Sequence, residues 1–210
     1  GEEGVWAMTI EEFLQRFQHG TAPLWQRLAI CKARSISGSR ELRKKTDAAV
    51  ADVIRNTDWY AGMAREIREM RERMQQTARR ENLKRGEGGT VDVEFVAQTL
   101  MLRHASESPQ VIQPGTTATL AALAKSGHLL DNESVTLING YRTLRRIEAS
   151  LRLMNTPARH ELPEDDHVMR NLAFLMKESD PDMIVALCQQ TMQNNRIAFN
   201  QIFDRVTAAE

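Results

Sequence analysis

The chain is expected to be all-α, a helical bundle of about eight or nine helices with a long central helix. Two observations predict this. Apolar residues recur at spacings of three and four along nearly the whole sequence, and alternating β-branched runs are almost absent.

The elements follow in order. Thr9, with Glu12 three residues on, has the pattern of a capping box and opens a short helix whose apolar members are Ile10, Phe13, Leu14 and Phe17. His19 and Gly20 are placed at its end. A second helix is expected from about Ala22 to Ala33 with Pro23 in its first turn, followed by a break over Ser35 to Ser39. Ser39 caps a third helix carrying Leu42, Ala49, Val50, Val53 and Ile54. After Asn56 a fourth begins near Asp58, with Trp59, Met63, Ile67, Met70 and Met74 on one stripe and Arg/Glu on the reverse face.

Beyond a glycine turn comes a helix from about Thr90 to His104 that is apolar on nearly every side, which marks it as central. A linker over Ser106 to Pro114 precedes helices at about Thr116 to Lys125 and Asp131 to Met154. Glu148 and Arg152 in the latter are spaced to pair at i and i+4. Pro157 to Pro163 reads as a loop and Glu164 to Met176 as a shorter helix. Ser179-Asp180-Pro181 is an N-cap with Pro at N1, opening a final helix to about Val206.

Composition bounds the function. A chain of 210 residues is long enough to bury about 70% of its unfolded surface. Lys plus Arg and Asp plus Glu stand at 28 each, so no global attraction to nucleic acid or anionic membrane is implied. No run approaches the roughly 18 to 20 apolar residues of a membrane span, and the N-terminus lacks a signal pattern, so a cytoplasmic protein is expected. The start at Gly1 without an initiator Met reads as a piece of something longer. Cys31 and Cys188 form no C-x-x-C pattern and read as ordinary thiols. The five histidines make no H-x-x-x-H or H-E-x-x-H, and no metal site is expected. In the Ala64 to Arg80 helix the arginines alternate with Glu66, Glu69 and Glu72, the composition of a solvated face rather than a nucleic-acid surface.

One stretch carries candidate chemistry: LKRGEGGTVDVEF, Leu83 to Phe95. Its glycines permit positive φ, and successive N–H groups before a helix can hold an anion, with Lys84 and Arg85 adding positive charge. It is neither a Walker A loop nor a dinucleotide fingerprint. By spacing alone, a helix-to-helix turn with acids complementing the macrodipole is the favoured reading. Asp92 and Glu94 lie about 200° apart on a helix, so they cannot share one metal; at least one should be partly buried against an Arg.

Two segments resemble a known family. LWQRLAICKARSISGS is similar to its W-(E/Q)-x-x-A-L-x-(R/K)-A-R-x-x-x-G segment, and NLKRGEGGTVDVEFVAQTLMLRH to its K-x-x-x-G-G-x-x-D-(I/V)-E-F-x-x-Q segment, with GHLLDNESVTLINGYRTLRRIEASLRLM continuing the match. The family is the bifunctional glutamine synthetase adenylyltransferase/adenylyl-removing enzymes. The form V-D-V-E-F is more like its C-terminal, adenylylating half than its other half. The resemblance implies a parent enzyme that transfers AMP from ATP, with Mg²⁺, to a tyrosine of glutamine synthetase, under control of the PII signalling protein, and that uses neither nucleic acid nor membrane. It implies that residues 1–8 are the tail of a nucleotidyltransferase core and 9–206 a helical domain, divisible into sub-bundles at 9–105 and 115–206. The family's signature, a G-S near a strand and an acidic D-x-D, is read as absent here, so the fragment is expected to hold no catalytic residue and to be inactive alone.

Under this resemblance Lys32, Arg34, Lys84, Arg85, Gly88 and Gly89 are candidates to face the nucleotide cleft, with Asp92 and Glu94 as supporting acids. The alternative is that Arg34, Asp92 and Glu94 form a purely structural ion network. At the level of the chain, the alternatives are a related uridylyltransferase and a noncatalytic helical interaction module.

Overall fold

Local capping chemistry sets the start of several helices. The computed structural model describes residues 7–18, 22–79, 81–154 and 160–209, so the helix end at His19-Gly20, most of the N-terminal tail and the Pro157 part of the loop lie outside them. Among the described residues the fold is all-helical, with no strand. In α1 (Ile10–Gln18) the capping box is complete: Glu12 N–H donates to Thr9 Oγ1 at 3.1 Å and Thr9 N–H to Glu12 Oε2 at 2.7 Å. Helix α2 (Leu24–Ile30) is shorter than expected, and Pro23 is its N-cap. Past Ile30, the N–H groups of Cys31, Lys32 and Ala33 reach back three residues to Leu28, Ala29 and Ile30, tightening the chain into turns.

Ser39 caps α3 (Arg40–Arg55) through Oγ, which accepts from Leu42 N–H. Helix α4 (Met63–Gln76) starts five residues later than the expected Asp58. Gly62 at φ 93° stands at its N-cap, a left-handed conformation that no right-handed helix can contain, so Trp59 lies outside the helix. Helices α5 (Thr90–His104) and α6 (Thr116–Lys125) match expectation, with one 3₁₀ turn at Pro109–Val111 in the linker between them. Helix α7 (Asp131–Leu153) is followed by α8 (Asp166–Met176), capped by Asp165, and α9 (Pro181–Ala208), capped by Asp180 with Pro181 in the first turn. The expected Glu148–Arg152 pair does not form: Glu148 is turned inward to Arg145 and His160, while Arg152 is exposed.

The residues group into two compact units, each built from two segments: 1–59 with 98–128, and 60–97 with 129–210. In the first, Phe17, Ala22 and Val53 form a small core with Phe13, Leu14 and Ile30 packed against it. Arg27 ties it together, donating to Phe17 O at 3.0 Å and Thr57 Oγ1 at 3.3 Å. In the same unit the rings of His104 and His128 stack at 3.9 Å and 11°, with His128 Nε2 on Ser108 Oγ.

The second unit is organised on α7 and α9, with α8 against both and α4 against α9. Leu144, Ile147, Leu151, Leu172, Ile184 and Cys188 are among its core. Each fully buried leucine there contributes about 2 to 3 kcal/mol from apolar burial. Gly140 of α7 permits a close approach to α9: a Cβ there would stand 2.1 Å from Asn195 Oδ1.

The histidine stack has a pH consequence. Burial, then His128, then Arg103 push His104 down from 6.5 to about 4. Below pH 6.5 the unfolded chain takes up a proton that folded His104 refuses. This contribution is full above pH 6.5 and is lost as pH falls toward about 4. Denaturant midpoints measured across that window are expected to fall with pH, and His104→Gln to flatten the slope.

Candidate functional site

The glycine turn between α4 and α5 is built around one buried carboxylate. Asp92, in the first turn of α5, is 0% exposed, as is Arg71 on α4. Arg71 Nε pairs with Asp92 Oδ1, while Asp92 Oδ2 accepts from Gly88 N–H at 2.7 Å and Arg196 Nη1 at 3.2 Å. Arg71 Nη2 also donates to the carbonyls of Arg85 at 3.0 Å and Gly86 at 2.8 Å. Burial, the largest influence, pushes the Arg71 pKa down; the Asp92 carboxylate pulls the other way and Arg196 adds to the lowering. Asn195, beside Arg196 on α9, donates through Nδ2 to Gly88 O at 2.9 Å.

The glycines serve packing. Gly88 has φ +72°, and a Cβ on it would lie 1.7 Å from the Met192 carbonyl oxygen of α9; a Cβ on Gly89 would lie 2.7 Å from Lys84 O. The N–H groups of the three glycines, Thr90 and Val91 are engaged within the chain. Gly86 donates to Asn82 O, Gly88 to Asp92, Gly89 to Gly86 O, Thr90 to Leu83 O and Val91 to Lys84 O. Asp92 is thus buried against arginine, as its helix position predicts, and its ionic partners are Arg71 and Arg196 rather than Lys32, Arg34 or Lys84. Glu94, half-buried on another face of α5, accepts from Tyr141 Oη at 3.0 Å.

Beside this turn lies an open cleft of about 270 Å³ whose lining includes Arg79, Asn82, Lys84, Arg85, His160 and Glu161. Asn82 shapes it: its Oδ1 accepts from the N–H groups of Lys84 at 3.1 Å and Arg85 at 2.8 Å, an Asx turn. Leu83 N–H donates to His160 O, fastening this loop to the segment before α8. Arg79 pairs with Glu161 at 3.5 Å.

The structure therefore places Lys84 and Arg85 on a cleft and Gly88 and Gly89 in a packed turn, all within one unit. Lys32 and Arg34 are exposed in the segment after α2, in the other unit. Arg71, Arg196, Asn195, Asn82 and His160 escaped sequence reading. Arg71 sits among alternating Arg and Glu with no local mark of burial; Asn82 lies two residues before Lys84, where an Asx turn was a local signal, and Arg196, Asn195 and His160 meet the turn only through the fold. One motif needs correction: a D-x-D spacing does occur, at Asp180-Pro181-Asp182. It lies at a helix N-terminus, where Asp180 Oδ1 accepts from Asp182 N–H at 2.9 Å, and not on a strand. Among the described residues no group of three or more His, Cys, Asp or Glu is placed to hold a metal ion. Cys31 and Cys188 are buried thiols, and burial raises both, Cys188 to about 12.

Removing the charge of Asp92 strands Arg71 in a dry site. Asp92→Asn is expected to destabilise the chain by about 3 to 5 kcal/mol in urea unfolding, the cost typical of a broken buried pair. A loss under 1 kcal/mol would contradict the burial and pairing described.

Comparison with known proteins agrees with the motif reading. The family profile described as GlnD PII-uridylyltransferase matches residues 61–206. A Mycobacterium leprae protein named bifunctional glutamine synthetase adenylyltransferase/adenylyl-removing enzyme is 32% identical over 169 residues, 79% of this chain and 17% of that protein. Proteins of the same name from Burkholderia pseudomallei (32% over 164 residues, 73% and 18%) and Thioalkalivibrio sulfidiphilus (30% over 190 residues, 86% and 19%) are similar over most of the chain. The chain spans under a fifth of the length of these relatives. The profile covers more than half of the sequence, and the chain belongs to the GlnD PII-uridylyltransferase family, with bifunctional glutamine synthetase adenylyltransferases as its curated relatives.

Proposed function

We propose that this chain is the helical domain of an ATP-dependent protein adenylyltransferase, part of a cytoplasmic enzyme that transfers AMP to a tyrosine of glutamine synthetase and, in its other half, removes it. The observation that carries this reading is the joint presence of W-Q-R-L-A-I-C-K-A-R and G-G-T-V-D-V-E-F in a chain whose relatives bear that name. The V-D-V-E-F form assigns it to the C-terminal, adenylylating half. PII is the regulatory partner this reading brings with it.

The acids of the turn do not offer a magnesium site. Asp92 is committed to two arginines and a backbone N–H, and Glu94 to Tyr141. Two-metal nucleotidyl transfer needs carboxylates free to coordinate, and the proposal assigns these to a core outside this chain. On this reading the chain alone is inactive. Its role is to supply a helical support that carries cations, Lys32 and Arg34 on one unit and Lys84 and Arg85 on the other. The buried node supports this by fixing the backbone that carries Lys84 and Arg85.

The family profile's own description favours one second reading, transfer of UMP to PII. Labelled-nucleotide transfer separates the two. The parent enzyme containing this chain is expected to label glutamine synthetase from α-labelled ATP, and the 210-residue chain alone to label nothing. Labelling of PII from UTP, with none of glutamine synthetase from ATP, would replace the first reading by the second.

A further inference from the structure

The cleft beside the turn combines features that the adenylyltransferase reading does not require. Lys84 and Arg85 stand next to each other on its wall, and among the described residues neither side chain has an ion-pair or hydrogen-bond partner. Their backbone is held firmly. Both N–H groups go to Asn82 Oδ1, Arg85 O accepts from buried Arg71, and Lys84 O accepts from Val91 N–H. Two neighbouring cations on a fixed loop repel each other, and an anion between them relieves this without the ordering cost of a mobile loop.

His160 adds a directed group. Its Nδ1 lies 2.7 Å from Oε1 of Glu148, whose side chain is 1% exposed and whose other oxygen accepts from Arg145 at 2.9 Å. A buried carboxylate on one ring nitrogen orients the imidazole and leaves Nε2 as the nitrogen that Glu148 does not engage. Arg79, neutralised by Glu161 at 3.5 Å, stands at the rim. With that pair cancelling, the cleft keeps the two charges of Lys84 and Arg85.

We propose that this cleft is a seat for a phosphate group, held by Lys84, Arg85 and His160, with Glu148 as a positioning residue. Size limits the ligand. At about 270 Å³ the cleft falls below the roughly 300 to 1,000 Å³ of pockets that enclose a drug-sized molecule. It seats a phosphate or pyrophosphate, and anything larger extends into solvent. The donor set favours phosphate over carboxylate: an arginine fork, an ammonium and an imidazole on one cleft offer more donors and charge than a planar monoanionic group needs. With Nδ1 held on Glu148, Nε2 is the ring nitrogen left for the ligand. Every group belongs to one compact unit, so the site does not depend on a nucleotidyltransferase core.

Calorimetric titration of the 210-residue chain with pyrophosphate, tripolyphosphate, ATP and succinate, at low ionic strength and without divalent cations, tests this. Saturable one-to-one binding of pyrophosphate is expected, weakened at least tenfold in the double variant Lys84→Ala/Arg85→Ala and at least threefold in His160→Asn. The surface pair Lys44→Ala/Lys45→Ala is expected to leave it unchanged. Should His160→Asn unfold the chain, the Lys84/Arg85 variant decides alone, since those side chains carry no hydrogen bond or ion pair among the described residues. Equal affinity for ATP and tripolyphosphate assigns the seat to the phosphate chain itself, and tighter ATP binding to the tail of a nucleotide. Absence of saturation, equal weakening by the Lys44/Lys45 control, or succinate binding as tightly as pyrophosphate would each overturn the proposal. None of these outcomes bears on which protein the parent enzyme labels.

Discussion

Asp92 carries its carboxylate into the interior, and groups from three other segments converge on it: Arg71 from α4, the Gly88 N–H from the turn and Arg196 from α9. A buried ion pair adds little net stability over a well-packed apolar alternative, because desolvation offsets most of the attraction. Its effect lies in selecting one arrangement. With Arg71 also bound to the Arg85 and Gly86 carbonyls, the course of the turn, the start of α5 and the docking of α9 are set by a single cluster of charge. Gly88 then has to be glycine twice over, for its positive φ and for the Met192 carbonyl lying where a Cβ would go.

This arrangement changes what the glycine-rich turn is for. Glycines that look like a phosphate cradle in one dimension have their N–H groups committed to the chain's own oxygens. The open surface falls just before the glycines, where Asn82 turns Lys84 and Arg85 onto a cleft with His160. Turn and cleft share a backbone: the carbonyl of Arg85 belongs to the buried cluster, and its side chain to the cleft. Rigidity within and charge without are two aspects of one segment, a suitable support for recognising an anion.

Most of the fold was legible because caps and periodicity are local. Thr9 with Glu12, Ser39 before α3 and Asp180-Pro181 before α9 each announce a helix start through a side chain that reaches only two or three residues. Where a boundary depends on backbone conformation alone, reading failed. Nothing in the letters around Gly62 says that it takes φ 93° and delays α4 to Met63. The site was half legible for the same reason. Asp92 had to find an arginine on a helix so apolar, but which arginine is decided by contacts 21 and 104 residues away in sequence, Asp92 with Arg71 and with Arg196. Glu148 is the clearest failure: its i+4 arginine was the obvious partner, and burial against His160 took precedence over it.

Native-state hydrogen exchange at the Gly88 amide tests the central role of Asp92 most directly. If the N–H is donated to a buried carboxylate that only opens with the unit, Gly88 exchanges as slowly as the amides of Val93 and Val96 within α5, and its protection falls with theirs as denaturant is added. Exchange of Gly88 near the rate of an unstructured peptide, while α5 stays protected, would show that the turn moves independently of Asp92 and would contradict the account.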